Sequence, residues 1–101
     1  MKPDFKISVH RNGDNLLSLD LMGDFDDSSA RELTGVLKKV CNGAKNIFVH
    51  TGELTKVHPF GRNALEANLK GMNAESLRNV TFTGAYATDV APDGSMVLRV
   101  L

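Results

Sequence analysis

Two segments near the start of the chain alternate hydrophobic and polar residues, which is the pattern of half-buried β-strands. They cover residues 5–9 and 16–22. The pair Asn12-Gly13 lies between them, and such pairs favour tight turns because they tolerate a positive φ angle. We therefore predict an antiparallel β-hairpin in this part of the chain.

The segment that follows has the three-and-four spacing of an amphipathic helix. Its hydrophobic stripe consists of Ala30, Leu33, Val36, Leu37, Val40 and Cys41. Ser29 and Glu32 match the capping-box pattern, in which two side chains satisfy free amides at the start of a helix. We predict that residues 23–27 interrupt the second strand, that the helix starts at this box and that it stops at Gly43. Cys41 is then a small buried side chain rather than a nucleophile.

The remaining elements follow from shorter apolar runs and from one proline, which suits a first helical turn because its missing N–H would be unpaired there. We predict a strand at residues 46–50, a loop at 51–56, a helix from Pro59, a strand at 80–83, a short helix at 86–90 and a last strand at 96–100. Strands that alternate with amphipathic helices pair in parallel through right-handed crossovers. The predicted fold is therefore α/β: a single domain over residues 1–101, with a mixed, mostly parallel sheet, an N-terminal β-hairpin and helices packed on the sheet.

This topology also indicates where a functional site would lie. In a parallel sheet, the loops that leave the carboxyl ends of the strands lie along one edge. Residues 23–28, 51–58 and 84–88 are those loops here. We expect them to converge, so this edge is the candidate location of a site.

Composition narrows the class of protein. The chain has 101 residues with 12 basic and 12 acidic side chains, so its charge gives no support to nucleic-acid or anionic-membrane binding. One cysteine excludes an internal disulfide framework and a Cys-rich zinc site. The sequence has neither a signal-peptide pattern nor an apolar run of about 18 residues, so we expect a cytoplasmic protein without direct membrane insertion. It also has no phosphate-binding glycine motif, and we predict no cofactor.

The segment Gly-Asp-Phe-Asp-Asp-Ser-Ser-Ala-Arg-Glu-Leu at residues 23–33 resembles the opening of the STAS domain, a family named for sulphate transporters and anti-sigma factor antagonists. The strand at 47–49 and Gly61 align with that family in the same register, and the order of elements agrees over residues 5–85. The resemblance implies a single STAS-like domain that acts by binding another protein in bacterial signalling and transcription regulation, and not by catalysis.

One departure from the family pattern concerns its regulatory serine. In anti-sigma factor antagonists the second helix begins with Asp-Ser-Ser-Gly, and a partner kinase phosphorylates the serine before the glycine. The corresponding residues here, at 58–61, are His-Pro-Phe-Gly. Phe60 has no hydroxyl and cannot carry the charge that phosphate adds, so this position is a non-phosphorylatable equivalent of the phosphosite. Whether Thr51 or Thr55 takes over its role is open.

These observations predict a partner-binding surface on the strand-end edge. Its candidate residues are Asp24, Asp26, Lys56, His58, Phe60 and Arg62. The implied partner is an anti-sigma factor or serine-kinase-like protein. An alternative is a soluble accessory subunit of a membrane transport complex of the ABC or lipid-export type, since STAS-like domains also attach to such assemblies. The free edge of the first hairpin leaves a homodimer open as well.

Several of the same residues allow a second interpretation. Phe60 either packs against neighbouring elements as a hydrophobic staple or stands exposed as a contact for a partner. Among the acidic residues, we assign Asp27 to the start of the first helix and Asp26 to the partner surface. His50 and His58 allow a second alternative, a small-molecule or metal site, which requires both imidazoles to converge. The sequence has no short-spaced ligand pair, so we assign no catalytic residue and no metal ligand.

Overall fold

The computed structural model describes residues 4–13, 15–40, 46–70, 79–92 and 96–98. In chain order, the elements of these ranges are β1 (Lys6–Arg11), β2 (Leu16–Phe25), α1 (Asp27–Val40), β3 (Asn46–Val57), α2 (Pro59–Leu69), β4 (Val80–Thr83), α3 (Ala87–Val90) and β5 (Met96–Leu98). The predicted helix end at Gly43, the placement of Cys41 and the predicted strand residues 99–100 lie outside the described residues. None of the helices in the described ranges combines the length and the hydropathy that a bilayer crossing requires.

The described strands form one sheet in the order β1-β2-β3-β4-β5. β1 runs antiparallel to β2, and each of the other neighbouring pairs is parallel. At the hairpin turn Gly13 has a φ of 87°, and the Asn12 N–H donates to the Leu16 carbonyl oxygen at 2.9 Å. The predicted α/β class, the N-terminal hairpin and the mixed, mostly parallel sheet are confirmed.

The hydrophobic core lies on one face of this sheet. β2 contributes Leu17, Leu19 and Leu21, which are buried and alternate with half-buried residues that face the other way. The described helices pack into the same cluster: Ala30, Leu33 and Leu37 from α1, Leu65 and Leu69 from α2, and Ala87 and Val90 from α3. Burial of one such leucine stabilises the fold by about 1.5–3 kcal/mol, so this face holds the helices on the sheet.

Both central strands are longer than predicted. β2 continues to Phe25 and β3 to Val57, so residues 51–56 belong to a strand and the predicted loop is wrong. The two strands remain paired through two shifts of register that lie between Asp20 and Asp24. Such bulges interrupt the strict alternation of side chains, which is why the sequence periodicity ends before the strands do.

The start of α1 also differs from the prediction. The helix begins at Asp27, and the Ser29 N–H donates to the Asp26 carboxylate at 3.0 Å. The Ser29 hydroxyl donates to the Asp24 carbonyl oxygen at 2.8 Å. Ser29 is thus a buried residue of the first turn, and Asp26 is the capping residue. The predicted capping box of Ser29 with Glu32 is wrong because the true cap lies three residues earlier.

The second helix begins directly against the end of β2. A Cβ atom on Gly61 would lie 2.9 Å from both the Cδ1 atom and the carbonyl oxygen of Phe25. Optimal contacts between carbon atoms are about 3.5–4.0 Å, so a side chain at Gly61 would push α2 away from β2. Glycine at this position therefore permits the close approach of the two elements.

Replacement of the α1 cap should destabilise the protein. We expect Asp26→Ala to lower the free energy of unfolding by about 1 kcal/mol, because the Ser29 amide loses its acceptor. Urea denaturation followed by circular dichroism measures this change. Asp27→Ala is the matched control, since it removes the same charge from an exposed neighbour. An equal loss in the two variants would contradict the capping role of Asp26.

Alanine at two helical glycines should act in opposite directions. We expect Gly61→Ala to destabilise the protein by about 1–3 kcal/mol through overpacking against Phe25. Gly35→Ala in α1 should stabilise it by up to about 1 kcal/mol, because a Cβ there meets no atom within 4 Å and alanine favours the helix. Thermal unfolding of both variants provides the comparison. A Gly61→Ala variant as stable as the wild type would contradict the close approach.

Candidate functional site

The ends of β2 and β3 lie together with the starts of α1 and α2 at one edge of the sheet. Phe25 and Val57 are paired where their strands end, and the His58 N–H donates to the Phe25 carbonyl oxygen at 2.8 Å. We call this edge the strand-end rim and define it as residues 24–27, 55–62 and 86–89. The first two of the three predicted loops do meet here, although the second is a strand over most of its length.

The third predicted loop joins β3 nearer to its middle. The Thr51 hydroxyl donates to the Thr83 carbonyl oxygen at 2.7 Å and accepts the Tyr86 N–H at 3.1 Å. Gly84 has a φ of 98°, and a Cβ atom there would lie 2.7 Å from the amide nitrogen of Gly52. Glycine is required at this crossing because both the backbone angle and the close approach exclude a side chain.

A groove of about 480 Å³ lies between β3, α2 and the segment around α3. We call it the strand-end groove, and its lining residues are Thr55, Lys56, Val57, Pro59, Arg62, Tyr86, Thr88 and Asp89. Lys56 and Arg62 were candidate site residues from the sequence, whereas Tyr86, Thr88 and Asp89 were not. Tyr86 and Thr88 belong to the predicted loop at residues 84–88, whose expected convergence with the other loops was the signal that could have found them, whereas Asp89 lies outside that loop.

Phe60 is the most exposed large hydrophobic residue of the strand-end rim, with 78% of its surface accessible. α2 packs through Gly61, Leu65 and Leu69, which are buried on one face of the helix. Phe60 lies at a different angle around the helix, so it cannot reach the core when those residues do. The staple alternative for Phe60 is therefore wrong, and its ring projects from the rim.

Asp24 and His58, both predicted as partner contacts, are not exposed side chains. Asp24 is only 8% exposed, and its Oδ2 atom lies 4.0 Å from the Nε2 atom of His58. His58 Nε2 is itself buried and has no hydrogen-bond partner among the described residues. The two side chains therefore lie against each other where the end of β2 meets the start of α2. Of the two, only the half-buried His58 reaches the surface.

The other three candidates lie at the surface to different degrees. Lys56 is exposed at the end of β3. The Asp26 carboxylate accepts the Ser29 N–H at the α1 cap and is half-buried. Arg62 is half-buried, and its Nε–H donates to the Ala91 carbonyl oxygen at 3.4 Å. Asp26, which was predicted to lie on the partner surface, thus caps α1. Asp27, which was predicted to lie at the start of the helix, is its first residue and is exposed.

The histidines of the second alternative have separate surroundings. His50 lies in β3, where its Nδ1 atom is hydrogen-bonded to the Thr83 hydroxyl, whereas His58 adjoins Asp24 at the rim. Neither contact includes the other imidazole. Across the part of the chain that the structure describes, no group of three or more His, Cys, Asp or Glu side chains is arranged to hold a metal ion. The geometry therefore gives no support to a joint site of His50 and His58.

Two solved structures share the fold of this chain. A structure of the anti-sigma factor antagonist SpoIIAA in its unphosphorylated form matches with a TM-score of 0.64 and 10% identity, over 95% of this chain and 90% of that one. An uncharacterised protein of the DUF3478 family from Shewanella loihica, with a SpoIIAA-like fold, matches with a TM-score of 0.62 and 17% identity, over 97% and 86% of the two chains. No family model and no curated protein matches the sequence. The likeness establishes the fold: the chain has a SpoIIAA-like α/β fold.

Proposed function

We propose that this protein is a non-catalytic interaction module that binds an anti-sigma factor or serine-kinase-like protein through its strand-end rim, without a serine switch. The observation that carries the proposal is the exposed ring of Phe60 at the start of α2. The proposed class of partner is supported by the likeness of the fold to that of an anti-sigma factor antagonist. We place the protein in the bacterial cytoplasm as part of the same proposal.

The ring of Phe60 has the chemistry of an interface anchor. The ring is exposed in the unbound protein, so its burial against a partner contributes about 1.5–3 kcal/mol to the free energy of binding. Aromatic residues are enriched among the few side chains that carry most of the binding energy of an interface. The strand-end groove, which includes the neighbouring Pro59, supplies charged groups from Lys56, Arg62 and Asp89.

The charged side chains of the rim are of both signs, since Lys56, Arg62 and Asp89 line the groove while Asp24, Asp26 and Asp27 lie at the end of β2 and the start of α1. A matching partner therefore presents charges of both signs close to an apolar pocket. Lys56 is exposed, and Arg62 lines the same groove. His58 lies against Asp24, and Asp26, which caps α1, lies at the start of that helix. Complementary charge speeds association and suppresses wrong partners more than it adds affinity. We omit Asp24 from the proposed contact surface because it is buried.

The hydroxyl groups around the rim also support a partner that binds without a phosphorylation switch. Phe60 occupies the position of the family serine and has no acceptor oxygen. The Thr51 side chain is buried and is hydrogen-bonded to Thr83 and Tyr86, so a kinase cannot reach it in the folded protein. Thr55 is exposed and lines the groove, which makes it the accessible alternative acceptor that an experiment has to exclude.

Removal of the Phe60 ring should weaken partner binding and leave the fold intact. We expect Phe60→Ala to weaken partner binding by about 2 kcal/mol, and to change unfolding by no more than about 0.5 kcal/mol because the side chain is exposed. Affinity capture from the source cell with mass spectrometry identifies the partner, and titration of that purified partner measures the affinity.

Val9→Ala is the matched control for Phe60→Ala, since Val9 is also an exposed hydrophobic residue, at 52%, but lies on β1. An anti-sigma or kinase-like protein that is lost only with Phe60→Ala supports the proposal. A membrane transport ATPase in the capture would support the accessory-subunit alternative instead. Undiminished binding by Phe60→Ala would contradict the role of the ring.

Phosphorylation should require a new hydroxyl at position 60. We expect no labelling of the wild-type protein by the captured partner and radioactive ATP, and labelling of Phe60→Ser if the partner is a serine kinase. Thr55→Ala, made in the wild-type background, serves as the control for the accessible threonine. Label on the wild type that disappears in Thr55→Ala would show that Thr55 has replaced the serine and would contradict the unswitched mechanism.

A further inference from the structure

The sheet has a second face, opposite the helices, that the proposed function does not use. Core residues of the strands alternate with residues that point to this face, since neighbouring side chains of a strand project on opposite sides. Thus Phe48 and His50 of β3 point away from the side occupied by Ile47 and Val49. All the described helices pack their buried residues into the core on the other side. We call this second side the open face.

A cavity of about 500 Å³ lies on the open face. We call it the open-face pocket, and its lining residues are Ser18, Phe48, His50, Gly52, Thr83, Gly84 and Leu98. It shares no lining residue with the strand-end groove. Sites for small organic molecules are typically about 300–1,000 Å³, so the pocket is large enough for a molecule of two fused rings.

Two flat rings form one wall of the pocket. The rings of Phe48 and His50 are nearly parallel, with an angle of 5° between their planes and 6.3 Å between their centroids. Leu98 belongs to the same lining and is 51% exposed. Flat π-surfaces prefer offset stacking with other aromatic rings, so this wall favours a planar aromatic ligand over a flexible chain.

Hydrogen-bonding groups accompany these rings. His50 Nδ1 is hydrogen-bonded to the Thr83 hydroxyl, which fixes the orientation of the imidazole, and its Nε2 atom makes no hydrogen bond to another of the described residues. Ser18 adds a hydroxyl to the lining. A ligand hydroxyl can donate to or accept from either group, so it fits whichever ring nitrogen of His50 carries the proton.

The lining of the pocket carries no carboxylate and no Lys or Arg side chain. Asp20 is the register partner of His50, but its carboxylate is directed to His10 of β1, with 3.2 Å between Oδ2 and Nε2. A charged ligand would lose its hydration without gaining an opposite charge in the lining. The pocket therefore selects an uncharged ligand.

Gly52 leaves free volume in the pocket because it has no side chain. A Cβ atom on Gly52 would meet no atom within 4 Å, so a side chain at this position would extend into free space beside the lining. The Gly84 backbone crosses close to the Gly52 backbone, and both glycines belong to the lining of the pocket. From these features we infer that the open face binds a small, uncharged, planar aromatic molecule with a hydroxyl group.

Titration with β-naphthol tests this inference on the full chain. The ligand is planar, neutral at pH 7 and fluorescent, and the protein contains no tryptophan that would obscure its signal. Three further probes define the specificity: naphthalene without the hydroxyl, β-naphthoate with a negative charge, and decanol with a flexible chain. We expect each of them to bind at least about tenfold more weakly than β-naphthol, which corresponds to the loss of one favourable interaction.

Two leucine substitutions distinguish the pocket from nonspecific binding. Gly52→Leu should fill the cavity and weaken β-naphthol binding by about tenfold or more. Gly35→Leu, at an open position on α1, is the matched control and should leave binding unchanged. Circular dichroism confirms that both variants are folded, and His50→Leu adds a test of the polar contact that does not depend on Gly52.

The binding of β-naphthol to the variants distinguishes a specific pocket from nonspecific binding. Binding of β-naphthol that is lost in Gly52→Leu and retained in Gly35→Leu supports the inference. Absence of binding at millimolar ligand, equal binding by both leucine variants, or stronger binding of decanol or β-naphthoate would each overturn it. Partner capture by Gly52→Leu should be unchanged, so failure of this inference leaves the proposed function of the strand-end rim untouched.

Discussion

The contact between the end of β2 and the start of α2 determines most of what this protein presents to its surroundings. The His58 N–H reaches the Phe25 carbonyl oxygen at 2.8 Å, and Gly61 approaches Phe25 so closely that a Cβ atom has no space. Because α1 begins immediately after β2, this contact also sets the two helix starts side by side. The strand-end rim therefore depends on a glycine and on a backbone hydrogen bond, both of which are insensitive to the chemistry of the exposed residues.

This arrangement explains how the rim can carry an exposed aromatic ring at the start of α2. A helix start is an anion site because its first amides lack partners. In α2 the first position is a proline, and the Gly61 N–H already donates to the His58 carbonyl oxygen at 2.9 Å. Phe60 projects outward from the same turn. Backbone contacts thus fix the position of the α2 start, while the side chain that it exposes is apolar.

The sheet separates two surfaces of different chemistry. The strand-end groove combines charged and polar residues with the neighbouring ring of Phe60, which suits a protein surface. The open-face pocket is lined by two parallel rings, a leucine, glycines and uncharged hydroxyl groups, which suits a small molecule. β3 contributes to both, through residues 55–57 at the rim and through Phe48, His50 and Gly52 on the open face. The Thr51 hydroxyl, bonded to Thr83 and Tyr86, lies between the two surfaces.

Local patterns in the sequence were sufficient for the elements that they specify directly. The hairpin follows from alternation and from Asn12-Gly13, and the α1 stripe follows from helical spacing, since each depends on neighbours along the chain. The element order then limits the topology to an α/β sheet with parallel crossovers. The strand-end edge as a location, with Lys56, Phe60 and Arg62 on it, followed from that topology.

Tertiary structure decided the features that depend on contacts between distant residues. β2 and β3 extend each other through bulged pairing, which no period of either strand encodes. The cap falls on Asp26 because β2 runs to Phe25, and Asp24 is buried near His58, where the end of β2 meets the start of α2. Phe60 is exposed because the face of α2 that reaches the core is set by Gly61 against Phe25. A sequence pattern records which side chains are apolar, but only the packing of α2 on the sheet determines which of them remain in water.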